Sequence, residues 1–320
     1  MNSDLHSASA SAPGKVIVAG EHFVVHGAYA VAAAINRRVK VTVRSTAKPS
    51  HIVSGLRTSM LGKNDGRFSA AKTVAKRTIQ EFGKPRDPLK IEIASDIPAG
   101  SGLGSSAAVS VATAAALVRF LGNDVEKSKI GELAMTGERQ VHGNPSGIDI
   151  ESSLNGGLLL FSRSSGTKHI PIEKALQLIV VFSGKKRKTA DLISRVTEKK
   201  QEYPAFFENL SNAVSFLSLD IVEAISAGDL PKLGALMNVA QTSLSWIGVS
   251  NETLDDIIEV SSSGGAYGAK VTGAGGGGSV IVLPRAGSAE PLLKEISKKF
   301  VDSFITTIPQ EGLRWETVGI

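Results

Sequence analysis

The chain has 320 residues, about two domains' worth at roughly 150 residues each, which excludes a mini-protein. With 42% of its residues hydrophobic and 21% charged it can bury a sizeable core, so wholesale disorder is excluded as well. The absence of cysteine excludes a disulfide framework, a thiolate metal site and a cysteine nucleophile and points to a reducing, cytoplasmic compartment, while the net charge of +6 suits an anionic partner.

The opening MNSDLHSASASA has neither a basic n-region nor an apolar h-region, so it is expected to be a polar, frayed tail and not a targeting peptide. Apolar residues at 16–18, 29–35 and 39–43 predict three short strands punctuated by glycines, and the spacing over 69–82 predicts a helix. Alternation over 89–95 predicts a half-buried strand, followed by a glycine loop at 98–104 and an Ala/Ser/Val-rich helix to about 120. The longest uncharged run, 97–118, carries Pro98 and three glycines, so no stretch reads as a membrane span. A helix over 126–141 leads into the loop HGNPSGID.

The apolar run 176–182 opens a second domain, with the boundary placed near Ile172, giving domains over 1–172 and 173–320. Helices are expected at about 188–200, 204–226, 230–244 and 252–262. Strands follow at 269–272 and 279–283, on either side of a glycine-dense stretch, then a last helix and one or two strands. The pattern is α+β, with helices against an antiparallel sheet.

Three glycine segments carry the chemistry. Pro98-Ala99-Gly100-Ser101-Gly102-Leu103-Gly104-Ser105-Ser106 lies between a strand and a helix N-terminus, where unpartnered N–H groups and the helix dipole favour an anion; it reads as a phosphate cradle. It is not a Walker A loop. A Rossmann fingerprint from Gly102 to Ala107 is disfavoured because Asp124 follows a helix end and not a second strand. In the second segment, Pro13 to Gly27, Lys15 precedes a short apolar strand and Glu21-His22 follows it. The third, Lys270-Val271-Thr272-Gly273-Ala274-Gly275-Gly276-Gly277-Gly278, places a glycine run between strands, which is costly unless backbone must approach something closely.

Together P-G-K-V, P-x-G-x-G-L-G-S-S-A and T-G-A-G-G-G-G resemble the three signature motifs of the GHMP kinases, and G-E-H-F-V-V-H-G with E-R-Q-V-H-G-N-P-S-G-I-D resembles the mevalonate kinase family within them. The resemblance implies a two-domain fold, with an N-terminal ribosomal-S5-like βαβ domain and a C-terminal ferredoxin-like domain, in a homodimer. It implies ATP-dependent phosphorylation of the C5 hydroxyl of (R)-mevalonate. In that reading Pro98, Gly100, Ser101, Gly102, Leu103, Gly104, Ser105 and Ser106 hold the ATP phosphates, and Ser106 with Glu138 holds Mg²⁺. Asp149 acts beside the substrate hydroxyl as general base or orienting charge, with Lys15 as its cationic neighbour. Glu21, His22, Thr189, Gly273 and Ala274 contact substrate, whereas His26, His142 and Asn144 stabilise turns.

Two rivals were weighed. Another small-alcohol or sugar kinase of the superfamily shares Ser106, Glu138 and Asp149 but differs around Glu21 and His22. A nucleic-acid-binding module expects aromatics interleaved with basic residues, and none adjoins Lys185-Lys186-Arg187-Lys188, so no nucleic-acid partner is expected.

Overall fold

The computed structural model describes residues 7–64, 66–143, 145–185 and 189–317, with the side chains of 189 and 190 outside it. The first strand begins far earlier than its apolar centre suggests. β1 (Ser7–Ala19) takes in the Ser/Ala stretch expected to be frayed, because β2 (Ala30–Ser45) pairs with it antiparallel from Ser7↔Arg44 to Ala19↔Val31. Ser9 Oγ donates to Val41 O at 3.1 Å and Ser11 Oγ donates to the Glu316 carboxylate, so these hydroxyls are buried with partners. The three short strands expected here are two long ones, and the ladder shifts register between Pro13 and Lys15.

The first half continues with a hairpin missed by the sequence reading, β3 (His51–Ser54) and β4 (Arg57–Met60), then α1 (Ser69–Phe82) and β5 (Leu89–Ser95). After them come α2 (Ser105–Phe120), α3 (Lys127–His142), α4 (Ile148–Asn155), and a second unforeseen hairpin, β6 (Leu158–Ser162) and β7 (Gly166–Ile170). The second half runs β8 (Gln177–Phe182), α5 (Thr189–Glu202), α6 (Pro204–Ala227), α7 (Leu230–Trp246), α8 (Glu252–Ser263), β9 (Gly268–Thr272) and β10 (Ser279–Leu283). It closes with α9 (Ala289–Ser297), β11 (Ser303–Thr307) and β12 (Arg314–Glu316).

An eight-stranded sheet has the order β12-β1-β2-β5-β3-β4, with β6 on β2 and β7 on β6. The second sheet is antiparallel, in the order β11-β8-β10-β9, and with helices joining β8 to β9 and β10 to β11 it is ferredoxin-like. The expected break at Ile172 falls between β7 and β8, yet the chain end crosses back: β12 pairs with β1, and Arg38 Nη2 donates to Gly312 O at 2.6 Å.

α2 is the spine of the first half. Its alanines let it lie closely against β1, β2, α1 and α3, and Ala107, Ala108, Val111, Ala112 and Leu117 are all fully buried. α6 is long and apolar enough, by length and composition, to cross a membrane, whereas the one stretch considered for this from sequence was 97–118. Here it packs against α7, β1 and β2, and gives Leu217 and Ile221 to one buried cluster and Phe207 and Val214 to the other.

Candidate active site

The cradle loop is built on backbone conformation. Gly100, Gly102 and Gly104 have φ of 79°, 81° and 73°, a region that side chains disfavour. Gly104 is the N-cap of α2 without a side-chain cap, leaving the first N–H groups of the helix for a ligand. The loop is fastened to β1 by Lys15 N–H donating to Leu103 O at 2.9 Å, and to the second sheet by Ser279 Oγ donating to Ser101 O at 3.0 Å. Gly14 is needed for closeness: a Cβ there would stand 2.6 Å from Leu103 O.

A cavity of about 520 Å³ opens beside this loop. Lys15, Glu21, His22, Glu138, Asp149, Gly273 and Ala274, all singled out in the sequence, line it. Residues 98–106 do not line the cavity but abut it through Lys15, whose Cγ lies 3.0 Å from where a Cβ of Gly104 would stand. Lys15 is only 4% exposed, and its Nζ sits 3.2 Å from Asp149 Oδ1. Asp149 is the second residue of α4, whose N-cap is the left-handed Gly147 (φ 95°); the carboxylate thus sits in the first turn, at the positive end of a helix that the Pro/Ser/Gly composition had disguised as loop.

Glu138, from α3, is buried, and burial pushes its carboxyl above the ordinary range, with the Asp149 charge adding to this and the Ser106 hydroxyl opposing it. Glu138 Oε1 and Ser106 Oγ are buried near one another, but neither makes a well-formed hydrogen bond. Two oxygens left orphaned beside a phosphate cradle fit a hard cation that takes its remaining ligands from phosphate and water. Among the described residues there is no group of three or more His, Asp or Glu that could hold a metal ion.

On the opposite wall, His22 has φ 63° and its Nε2 donates to Ala274 O at 3.0 Å. Glu21 lines the cavity, but its carboxylate is held by Lys270, so it is not simply a substrate-facing acid. Thr189 is the first residue of α5; its side chain lies outside the described residues, as do Lys186, Arg187, Lys188 and Asn144, while Ile193, one turn on, lines the cavity.

Three further titratable side chains line the cavity. His26 and His142, expected to stabilise turns, are two of them; His142 Nε2 is 3.8 Å from Glu138 Oε2, and burial with the Lys200 and Arg163 charges lowers the His26 pKa. Arg163, in the β6–β7 turn, is the third, and nothing in R-S-S-G distinguished it from a solvated turn.

Comparison with known proteins gives a consistent picture. Residues 69–157 match the family described as GHMP kinases N terminal domain, and residues 221–302 match GHMP kinases C terminal. A mevalonate kinase of Aeropyrum pernix is 37% identical, over 97% of this chain and 98% of that protein. One of Archaeoglobus fulgidus is also 37% identical, over 96% and 99%. The crystal structure of L. major mevalonate kinase in complex with R-mevalonate superposes with a TM-score of 0.85 at 28% identity, covering 97% of this chain and 99% of that one.

Proposed function

The chain belongs to the GHMP kinases and, within them, to the mevalonate kinases, and on that premise we propose that its cavity is where the γ-phosphoryl group of ATP passes to the C5 hydroxyl of (R)-mevalonate. The observation that carries this reading is the Lys15–Asp149 ion pair, set against a glycine cradle at a helix N-terminus.

The chemistry is positioning plus electrostatics. The α2 N-terminus and the loop 100–105 hold the triphosphate. Asp149 accepts a hydrogen bond from the C5 hydroxyl and orients its lone pair toward the γ-phosphorus. Lys15 sits where negative charge spreads over the transferring group, and its fixed ammonium is worth more in the transition state than in the ground state. Ser106 and Glu138 would hold Mg²⁺, which when bound neutralises charge on the phosphate oxygens. Arg163 supplies donors for the substrate carboxylate, His22 shapes the wall beside it, and Gly273 and Ala274 close the site from the second sheet. The same reading makes the enzyme a cytoplasmic homodimer, an assembly favoured by the exposed Phe216 and Leu219 of α6.

A coupled assay of ADP release tests it, with ATP, Mg²⁺ and one of (R)-mevalonate, phosphomevalonate, galactose or homoserine. Turnover is expected with (R)-mevalonate; turnover confined to another alcohol would leave the phosphate machinery intact and overturn the substrate assignment.

A further inference from the structure

Lys270 is a cation in the middle of β9, flanked by the apolar Ala269 and Val271 and fully buried. It does not line the cavity. Its ammonium donates to the Glu21 carboxylate, to Val271 O at 2.6 Å and to Ile17 O at 3.3 Å, so all three hydrogens are used. Glu21 is itself 3% exposed, and the two charges lie on opposite sides of the seam between the sheets.

Stability is a poor reason for this pair. Two buried ions each lose several kcal/mol of hydration, and apolar residues of similar volume in their place are often neutral or better. The pKa directions agree: burial raises Glu21 and lowers Lys270, each only partly offset by the other. The location of the pair is more informative. Glu21 is adjacent to His22, a non-glycine residue at φ 63°, a conformation that persists only where its surroundings enforce it. His22 is tied to Ala274, four residues along from Lys270, so both cavity-lining residues are anchored to the single segment 270–274 of the second sheet.

We propose that Lys270 is a positioning residue for the mevalonate side of the site: through Glu21 it holds the strained His22 turn against the glycine loop, so that the substrate wall is set by β9 and not by β1 alone. This rests on the proposed function, and the experiment separates the two. Wild type must first show mevalonate-dependent turnover, without which the reading of the site fails before Lys270 is tested.

Given that turnover, Lys270→Met is compared with Lys270→Gln, which can still donate to Glu21, and with the double variant Glu21→Gln/Lys270→Met, which leaves no charge at this pair and is the arm that folds even where the single variant does not. Steady-state KM and kcat are measured for both substrates, with thermal midpoints alongside. A misplacement of about 1 Å at a reacting group can cost on the order of 10²-fold. Lys270→Met and the double variant are expected to lose at least about tenfold in kcat/KM for mevalonate while KM for ATP stays within about threefold, and Lys270→Gln to recover part of the loss. The proposal is overturned if the double variant, or a folded Lys270→Met, keeps wild-type kcat/KM for mevalonate. It is equally overturned if KM for ATP rises as much as KM for mevalonate, the signature of a merely structural defect.

Discussion

Replacing Lys15 with Met keeps most of the side-chain volume and removes one charge. With Nζ 3.2 Å from Asp149 Oδ1, and the lysine 4% and the aspartate 31% exposed, the pair is shielded on one side and wet on the other. At an effective dielectric of about 20, unit charges at that separation attract by ~5 kcal/mol, which fixes the ammonium and the carboxylate relative to one another in the resting enzyme but does not by itself set the rate. What lowers the barrier is the interaction of the fixed ammonium with the developing charge. One preorganised donor commonly contributes about 3–4 kcal/mol to a transition state, so kcat should fall about 10²- to 10³-fold. KM for mevalonate should change only a few-fold, because the developing charge, not the resting alcohol, feels the ammonium. Coupled ADP release, backed by single-turnover measurements, gives both quantities. Because Lys15 and Asp149 act as one unit, the double variant Lys15→Met/Asp149→Asn should be no slower than the worse single variant. A kcat within about threefold of wild type, or losses that multiply in the double variant, would refute the reasoning.

Other expectations follow from the same geometry. In Gly14→Ala the new Cβ meets Leu103 O at 2.6 Å and Ile97 Cδ1 at 2.7 Å, so the cradle loop must move; KM for ATP should rise more than KM for mevalonate, with a stability loss of about 1–3 kcal/mol by denaturant titration. Glu138→Gln keeps the shape and weakens an oxygen ligand, so the Mg²⁺ concentration for half-maximal rate should rise about tenfold or more, and an unchanged Mg²⁺ dependence would remove Glu138 from that role. The Lys270→Met variant also has a pH signature. Glu21 already sits above its ordinary value of 4.5 through burial, with Lys270 and the more distant Lys15 pulling it down, and losing Lys270 lifts it further. A carboxyl raised in the folded state contributes stability that is complete below its unfolded value and disappears as pH climbs through the folded one. The Tm deficit of Lys270→Met should therefore widen as pH rises above the ordinary carboxyl value; a deficit that stays constant or narrows contradicts this.

Much of this molecule was legible because its elements have strong local signals. The helix over 69–82, the strand over 89–95 and the strand over 279–283 appear where periodicity places them, since each buries one face or is apolar throughout. The β1 start was hidden because Ser and Ala carry no hydrophobic alternation; their burial depends on the distant Val41, Arg38 and Glu316. The strands of the β3–β4 and β6–β7 hairpins are only four or five residues long, β4 and β7 are largely polar, and β6, though mostly apolar, is fixed as a strand by its pairing with β2, as β3 is by β5. For the site, the glycine cradle before a helix was visible in the local pattern and Lys15, Glu138 and Asp149 stood out only through their resemblance to family motifs, whereas Arg163 and His142 enter the cavity only through tertiary placement. Lys270 is intermediate: a lysine between buried β-strand residues is a visible anomaly, but its partner Glu21 lies 249 positions away and only the fold joins them.

The most direct measurement is phosphate transfer itself, followed by ³¹P NMR of the product and by ADP release, in wild type and Asp149→Asn with ATP, Mg²⁺ and (R)-mevalonate. Wild type should convert mevalonate to the C5 phosphate monoester with one ADP per product, and Asp149→Asn, folded and still binding ATP, should be almost inactive. Equal turnover in the two proteins, or a phosphate on any other oxygen, would contradict the assignment of this cavity as the mevalonate phosphorylation site.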